Sequence, residues 1–323
     1  MRTIDVAIIG GSLAGAACVR TLVEAGIDAV AIERDPFPRE KVCGGFLSPG
    51  AVQILDRLNL TRALREAGAV EIRAARVRCD GREIDLSFRR SGLGVSRRTL
   101  DAILGDHHAV EHGNVLAVDK QSNGRFQLRM STGVDWSARV VIDAAGKLSR
   151  FGNLKSSPEF GVQFYETESR GDVMDFWLFQ DGYGGSVSIE GNRSNFCFLI
   201  RREALPRYLG KPDCRVTGPV SYHARRSEFM AIGDAAGMID PFCGEGMHHA
   251  LDAGVVAADA VIHGMTRGWD YAGMRRRYEG ERSRRWSRKR ALAWTARLAL
   301  RSAGLRQAAL KLNLERIVER FWE

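Results

Sequence analysis

The chain has 323 residues, 45% of them apolar, which is enough to bury a large core in one to three domains. No run of about 18 uncharged apolar residues is present, which argues against a membrane-spanning helix. The six cysteines (Cys18, Cys43, Cys79, Cys197, Cys214, Cys243) form no C-x-x-C pair, which argues against a zinc site and for a reduced chain. The net charge is +9, but nine Lys/Arg and two Glu between Arg275 and Arg290 carry a local +7. Nothing resembles a nucleic-acid module.

The N-terminus opens on the strand-like "IDVAIIGG" with no basic, apolar leader, so the expected compartment is the cytoplasm. Asp5 to Ile9 reads as a strand, Ala14 to Ala25 as a helix, and "GIDAVAIERD" as a second strand ending at Glu33. This β-α-β unit implies a doubly wound parallel sheet. Helical patterns follow at Pro49 to Leu58 and Thr61 to Ala67. Glu71 to Phe88 alternates as strands around an Asp80–Gly81 turn. "SRRTLDAIL" is a helix with Ser96 as N-cap. Val110 to Ile142 returns to strands, and Phe160 to Ile200 alternates as an antiparallel sheet with one covered face.

"EFMAIGD" is one more buried strand, leading through a glycine-rich stretch into a helix ending near His263. From Tyr271 the tail reads as helix throughout, with a break at Gly304 and an apolar face at Leu310, Leu314, Ile317 and Phe321. Nucleotide-binding character thus recurs at both ends, with sheet segments inserted between. The expected fold class is α/β with an α+β insert. A discontinuous Rossmann-like domain takes residues 1–70, 96–155 and 220–265. An inserted antiparallel substrate sheet takes 71–95 and 156–219, and a helical tail takes 266–323.

Two stretches carry the chemistry. In "IIGGSLAG", Gly10 and Gly15 hold the outer positions of a G-x-G-x-x-G turn, and Ser12 replaces the middle glycine. Such a turn brings the backbone close to a pyrophosphate at a helix N-terminus. Glu33, at the end of the second strand, suits the two hydroxyls of an adenosine ribose. In "GDAAGMIDPFCGEGMHHALDAG", a buried strand delivers Asp234, and Gly244 to Met247 turn into a new helix. An acid there binds a polyol, and the helix N-terminus stabilises negative charge on a bound ring. One ligand combines an ADP half, a sugar-alcohol linker and an electron-accepting ring: FAD.

These stretches, with "KVCGGFLSPG", "SRRTLD" and "VVIDAAGKLSR", occur in the order seen in the p-hydroxybenzoate hydroxylase-like flavoproteins. Within them the sequence most resembles the geranylgeranyl reductase family, over roughly residues 1–265. The resemblance implies that Gly10, Ser12, Leu13, Ala14 and Gly15 line the pyrophosphate, that Glu33 holds the ribose, and that Arg34 lies beside it. It also places Arg97 near the phosphates and Val115 at the adenine edge. Asp234 would hold the ribityl chain, with Cys43, Gly44, Gly244, Gly246 and Met247 against the ring. The sequence departs from the pattern at two points. Ala144-Ala145-Gly146 stands where Ala-Asp-Gly is usual, which weakens the case for a directly bound NAD(P)H and leaves it as one candidate reductant. Gly185 stands at the tryptophan of the family's Tyr-x-Trp-x-Phe-Pro stretch, so the substrate pocket is expected to be reshaped. The W-x-W-x-I-P signature of flavin halogenases is absent.

The candidate catalytic groups are Cys43, His248 and Tyr183, with Tyr222 as a further donor. Each has a plainer reading: the cysteines Cys43 and Cys243 as small hydrophobes, His248 and His249 as a polar helix start, the tyrosines as sheet packing. His248 and Asp252 share a helix face, which would orient the imidazole. The expected activity is an FAD-dependent oxidoreductase acting on a lipophilic or polyketide/isoprenoid-like small molecule, by C=C reduction or dehydrogenation, or by flavin-mediated hydroxylation. A carrier-tethered tailoring enzyme and a flavin-binding protein without turnover are the other classes. The Arg275–Arg290 run would meet an acyl-carrier protein or a membrane surface, or be a solvated helix face.

Overall fold

The computed structural model describes residues 1–152, 158–220 and 227–300. β1 (Arg2–Ile9) leads into α1 (Leu13–Glu24) and β2 (Ala29–Glu33). β3 (Phe46–Leu47), α2 (Pro49–Arg57) and α3 (Thr61–Glu66) precede the hairpin of β4 (Val70–Cys79) and β5 (Arg82–Gly94). α4 (Arg97–Gly105) is followed by β6 (Val110–His112), β7 (Val115–Lys120), β8 (Phe126–Met130) and β9 (Trp136–Asp143). β10 (Glu159–Glu166), β11 (Val173–Phe179), β12 (Gly182–Ile189), β13 (Arg193–Arg201) and β14 (Arg215–Thr217) come next. β15 (Met230–Ala231), α5 (Gly246–Thr266) and α6 (Tyr271–Leu300) complete the described chain.

Two sheets organise these elements. The first has the order β6-β2-β1-β9-β8-β7, with β15 paired to β9. Its centre is parallel, with Val6 opposite Ala29 and Val140. All five residues of β2 are buried, as a strand covered on both faces requires. The second sheet runs β14-β10-β13-β12-β11-β4-β5-β3 and is antiparallel except where β4 meets β11. β3 belongs to this second sheet through β5, although the 1–70 segment was expected to serve the first.

Local chemistry explains the joints. Asp80 and Gly81 both take positive φ, the geometry of the tight turn that joins β4 to β5. The Thr99 amide donates to Ser96 Oγ at 3.1 Å, capping α4 as its sequence requires. α1 and α5 approach closely because Gly254 has no side chain: a Cβ there would stand 2.3 Å from the Ala14 carbonyl oxygen. α6 lays Met274, Tyr278 and Trp286 inward. Tyr278 Oη donates to the Ala231 carbonyl at 2.8 Å, and Tyr271 Oη to that of Val141 at 2.9 Å. The expected apolar face at Leu310, Leu314, Ile317 and Phe321, and the Gly304 break, lie outside the described residues.

Candidate active site

The strand ends of the first sheet open into a cleft of about 560 Å³. Gly10 follows β1, Glu33 ends β2, Ala144 to Gly146 follow β9, and Gly233–Asp234 follow β15; all line it. A crevice beyond the carboxyl ends of parallel strands is where this topology binds nucleotides. Gly10 has φ +110°, and a Cβ there would stand 2.4 Å from the Ala144 carbonyl oxygen. The absence of a side chain is what lets backbone face ligand at this turn.

The charges of the cleft are arranged by element. Glu33 Oε2 accepts from the Gly11 amide at 3.0 Å, and Oε1 accepts from Arg39 at 2.8 Å and from the Asp35 amide at 3.1 Å. Burial would raise Glu33, but these hydrogen bonds and the charges of Arg39 and Lys41 hold it below the usual carboxylate range. Lys41 is pushed down to about 8 by burial and by the nearby Arg97 and Arg39, partly offset by Asp101 and Glu33. Lys147 is lowered by burial, against the pull of Asp234.

Arg97 occupies the centre. Its Nη2 donates to Ser12 Oγ at 2.8 Å and to both oxygens of Asp101, at 2.9 and 2.8 Å. Ser12 Oγ donates in turn to Asp101 Oδ1 at 3.1 Å. Burial would lower Arg97, but Asp101 and the adjoining Cys43 thiol raise it, so the guanidinium stays charged. The hydroxyl of the serine at the middle of the glycine turn thus anchors the buried cation beside the helix N-terminus. Asp101 lies one helical turn after Arg97, and that spacing was legible in "SRRTLD" although sequence reasoning passed over the acid.

The cleft runs into a second chamber of about 250 Å³ between the two sheets. Leu13, Val42, Arg97, Asp234, Met238 and Ala250 line both. Cys43 and Gly44 form part of the chamber wall, and Gly244, Gly246 and Met247 form another part. Phe176, Tyr183, Phe198 and Phe242 line it as well. Tyr183 packs edge-on to Phe242 at 5.5 Å, and Phe176 does the same at 5.3 Å. Tyr183 Oη donates to Asp240, whose Oδ1 also accepts from the Phe242 amide at 3.0 Å. Asn195 Nδ2 holds the Cys43 carbonyl at 2.9 Å, and Gln163 Nε2 donates to Asn195 Oδ1 at 2.7 Å, so β13 and β10 brace the Cys43 loop. Gly185 sits in the chamber wall where the family pattern has tryptophan.

Most of the residues singled out from sequence converge here. Gly10, Ser12, Leu13, Ala14, Glu33, Arg34, Arg97, Val115 and Asp234 line the cleft, while Cys43, Gly44, Tyr183, Gly244, Gly246 and Met247 line the chamber. Two do not. Gly15 is buried in α1 outside the lining, and a Cβ there would fall 1.8 Å from the Gly10 carbonyl oxygen. Its lack of a side chain lets the helix pack closely on the turn. His248 also faces away from both cavities. Its ring packs against Gly50 of α2 and Trp286 of α6, and its Nδ1 contacts Glu245 at 2.5 Å. The expected His248–Asp252 pair does not form, because Asp252 is taken by Arg285 at 3.0 Å and Trp286 Nε1 at 2.6 Å. Tyr222 and the Cys243 side chain lie outside the described residues. Arg39, Lys41, Phe176 and Phe242, all lining, were not singled out, since their positions follow from loop and sheet packing that no local motif encodes.

The walls of the cavity fit FAD. A glycine cradle without side chains and the cations Arg97 and Lys41 suit a pyrophosphate, Glu33 suits a ribose, and the chamber beside Gly244–Met247 suits a flat ring. A family model for the FAD binding domain matches residues 3–135. The menaquinone reductase of Mycobacterium tuberculosis is 27% identical over 313 residues, which span 80% of this chain and 76% of that protein. The digeranylgeranylglycerophospholipid reductase of Thermoplasma acidophilum is 27% identical over 354 residues, spanning 92% and 87%. Among solved structures, PqsL, a probable FAD-dependent monooxygenase of Pseudomonas aeruginosa, superposes with a TM-score of 0.81 at 16% identity, covering 96% of this chain and 100% of that one. The cradle, the two sheets and these likenesses together mark the chain as an FAD-dependent oxidoreductase built on the p-hydroxybenzoate hydroxylase-like fold, similar in sequence to the reductases named above.

Proposed function

We propose that the protein reduces a carbon–carbon double bond of a lipophilic, isoprenoid- or polyketide-like small molecule held in the 250 Å³ chamber. The observation that carries this reading is the continuity of the cleft with a chamber walled by Phe176, Phe198, Phe242 and Met174. FAD, when bound, supplies hydride transfer; the protein supplies orientation and exclusion of water. Arg97 and Lys41 would hold the phosphates, Glu33 the ribose, Asp234 the ribityl chain. The aromatic wall packs apolar substrate against the ring, and the Tyr183–Asp240 pair gives it one polar anchor. Cys43, against Arg97, would donate the proton to the alkene carbon next to the one that takes the hydride. The names of the two curated relatives, both reductases, support reduction over hydroxylation.

NADPH or NADH is the proposed external reductant. The basic segment of α6 is a weaker candidate for an acyl-carrier or membrane contact than its composition implies. Arg275 donates to the Ser227 and Glu228 carbonyls, Arg282 to that of Ala236, and Arg285 to Asp252. Arg276, Arg284 and Arg288 remain on the exposed side. No helix among the described residues is long and apolar enough to cross a membrane. A charge reversal at these three arginines that abolished vesicle or carrier binding while leaving free-substrate turnover intact would support a docking role.

The test is anaerobic reduction of the purified protein with NADPH and NADH, followed by an isoprenoid alkene or by oxygen. Reoxidation by the alkene with loss of its double bond supports the reading. Rapid reoxidation by oxygen coupled to a hydroxylated product, with the alkene inert, replaces it with a monooxygenase.

A further inference from the structure

An ionic cluster lies under the turn that lines the chamber, outside the cavity wall itself. Gly244, Gly246 and Met247 face the chamber, while Glu245 between them is fully buried. Its Oε2 contacts His248 Nδ1 at 2.5 Å and lies 3.8 Å from Lys289 Nζ of α6, and its Oε1 has no hydrogen-bond partner among the described residues. The surrounding titratable groups are His248, His249 and Asp252 of α5 and Arg282, Arg285, Lys289 and Arg290 of α6. His249 is pushed down to about 3 by burial and by Arg282, Arg290 and His248, so its ring is neutral. Arg285 and Trp286 engage Asp252, and Gly50 of α2 packs against the His248 ring.

Glu245 and Lys289 thus stand as opposite charges 3.8 Å apart at the start of α5, with the His248 ring against the same carboxylate oxygen. This helix has 21 residues and no acid in its first turn, so its N-terminus presents roughly half a positive charge toward the chamber. A buried carboxylate at the N-cap cancels part of that field, and the ammonium behind it restores part. Glu245, fully buried, is poorly screened, whereas the Lys289 ammonium, its side chain 24% exposed, is partly screened by solvent.

We infer that Glu245, counterbalanced by Lys289, is a positioning residue that sets the electron affinity of the ring bound against the 244–247 turn. The inference rests on the reading that FAD places its ring on this turn. Electrons arriving on the ring bring negative charge, which the Glu245 carboxylate opposes and the Lys289 ammonium favours. The two side chains therefore act with opposite sign, something a purely structural role would not do.

The experiment measures FAD affinity by fluorescence and the two-electron midpoint potential by dye equilibration, in wild type, Glu245→Gln and Lys289→Met. The expected result for Glu245→Gln is unchanged affinity and a potential raised by a tenfold shift of the reduction equilibrium, about 30 mV. Lys289→Met is expected to move it the other way, by roughly threefold in the same equilibrium. Potentials indistinguishable from wild type, or shifts of the same sign in both variants, overturn the inference while leaving the cofactor reading intact. Should Glu245→Gln not fold, the sign of the Lys289→Met shift decides. Wild-type protein that binds no FAD overturns the cofactor reading, and this inference with it.

Discussion

The cleft and the chamber share one cavity but are built in opposite ways. The cleft is made of backbone and charge: a glycine turn, strand ends, and the Ser12–Arg97–Asp101 cluster, all from the parallel sheet and its helices. The chamber is made of rings and bare strand, with Phe176 and Tyr183 beside Gly185 on the antiparallel sheet and Phe242 packed against both rings. A phosphate-bearing ligand demands fixed donors at fixed places, so the cleft's residues follow a spacing rule. A lipophilic substrate demands only shape, and many side-chain sets supply the same shape.

If that contrast holds, damage to the cleft should abolish cofactor binding or folding, whereas damage to the chamber should spare both. The largest effect is expected from Gly15→Ala, whose methyl would meet the Gly10 carbonyl oxygen at 1.8 Å with only backbone to give way. A loss of about 3 kcal/mol or more should appear in chemical denaturation, together with loss of bound FAD. Asp101→Ala leaves the buried Arg97 charge without its carboxylate. Breaking such a pair costs about 3 kcal/mol. Denaturation midpoints and FAD dissociation would both report it, and an unchanged pair of values would mean the cleft does not depend on its charge cluster.

A pH effect of intermediate size follows from Lys41. Its folded-state pKa is depressed to about 8, so the cation is present below that pH and lost above it. Affinity for the anionic pyrophosphate should fall by roughly tenfold from pH 7 to pH 9.5, an order of magnitude for one lost charge contact. Lys41→Met should show the weaker affinity at both pH values, with a flat profile; a titration of FAD fluorescence at each pH checks this. The smallest effect is assigned to the chamber. Tyr183→Phe removes one hydroxyl, leaving Asp240 with the Phe242 amide as donor. Stability should drop by about 1 kcal/mol, FAD affinity should stay within about twofold, and KM should rise for substrates that present an oxygen to the wall. A large loss of FAD affinity in this variant would erase the distinction between the two regions.

Much of the cleft was legible in the sequence because its determinants are local. Gly10, Glu33 and Asp234 each sit where a strand ends, and Ser96 caps the helix that carries Arg97. His248 shows the opposite case. Its place after the ring-binding turn made it a candidate, yet α5 rotates it toward α2 and α6, where Gly50 and Trp286 enclose it. The basic run behaved similarly: composition marked Arg275 to Arg290 as one charged surface, but helix geometry turns Arg282 and Lys289 inward.

The sequence by itself therefore determined the fold class, the βαβ cradle and the cofactor it suits, because glycine, acid and cap positions obey short-range stereochemistry. Only the tertiary structure decided that Ser12 closes on the Arg97–Asp101 pair and that Tyr183 answers to Asp240. Those contacts join residues tens of positions apart, and their partners are chosen by how two sheets and two helices meet, which no local pattern records.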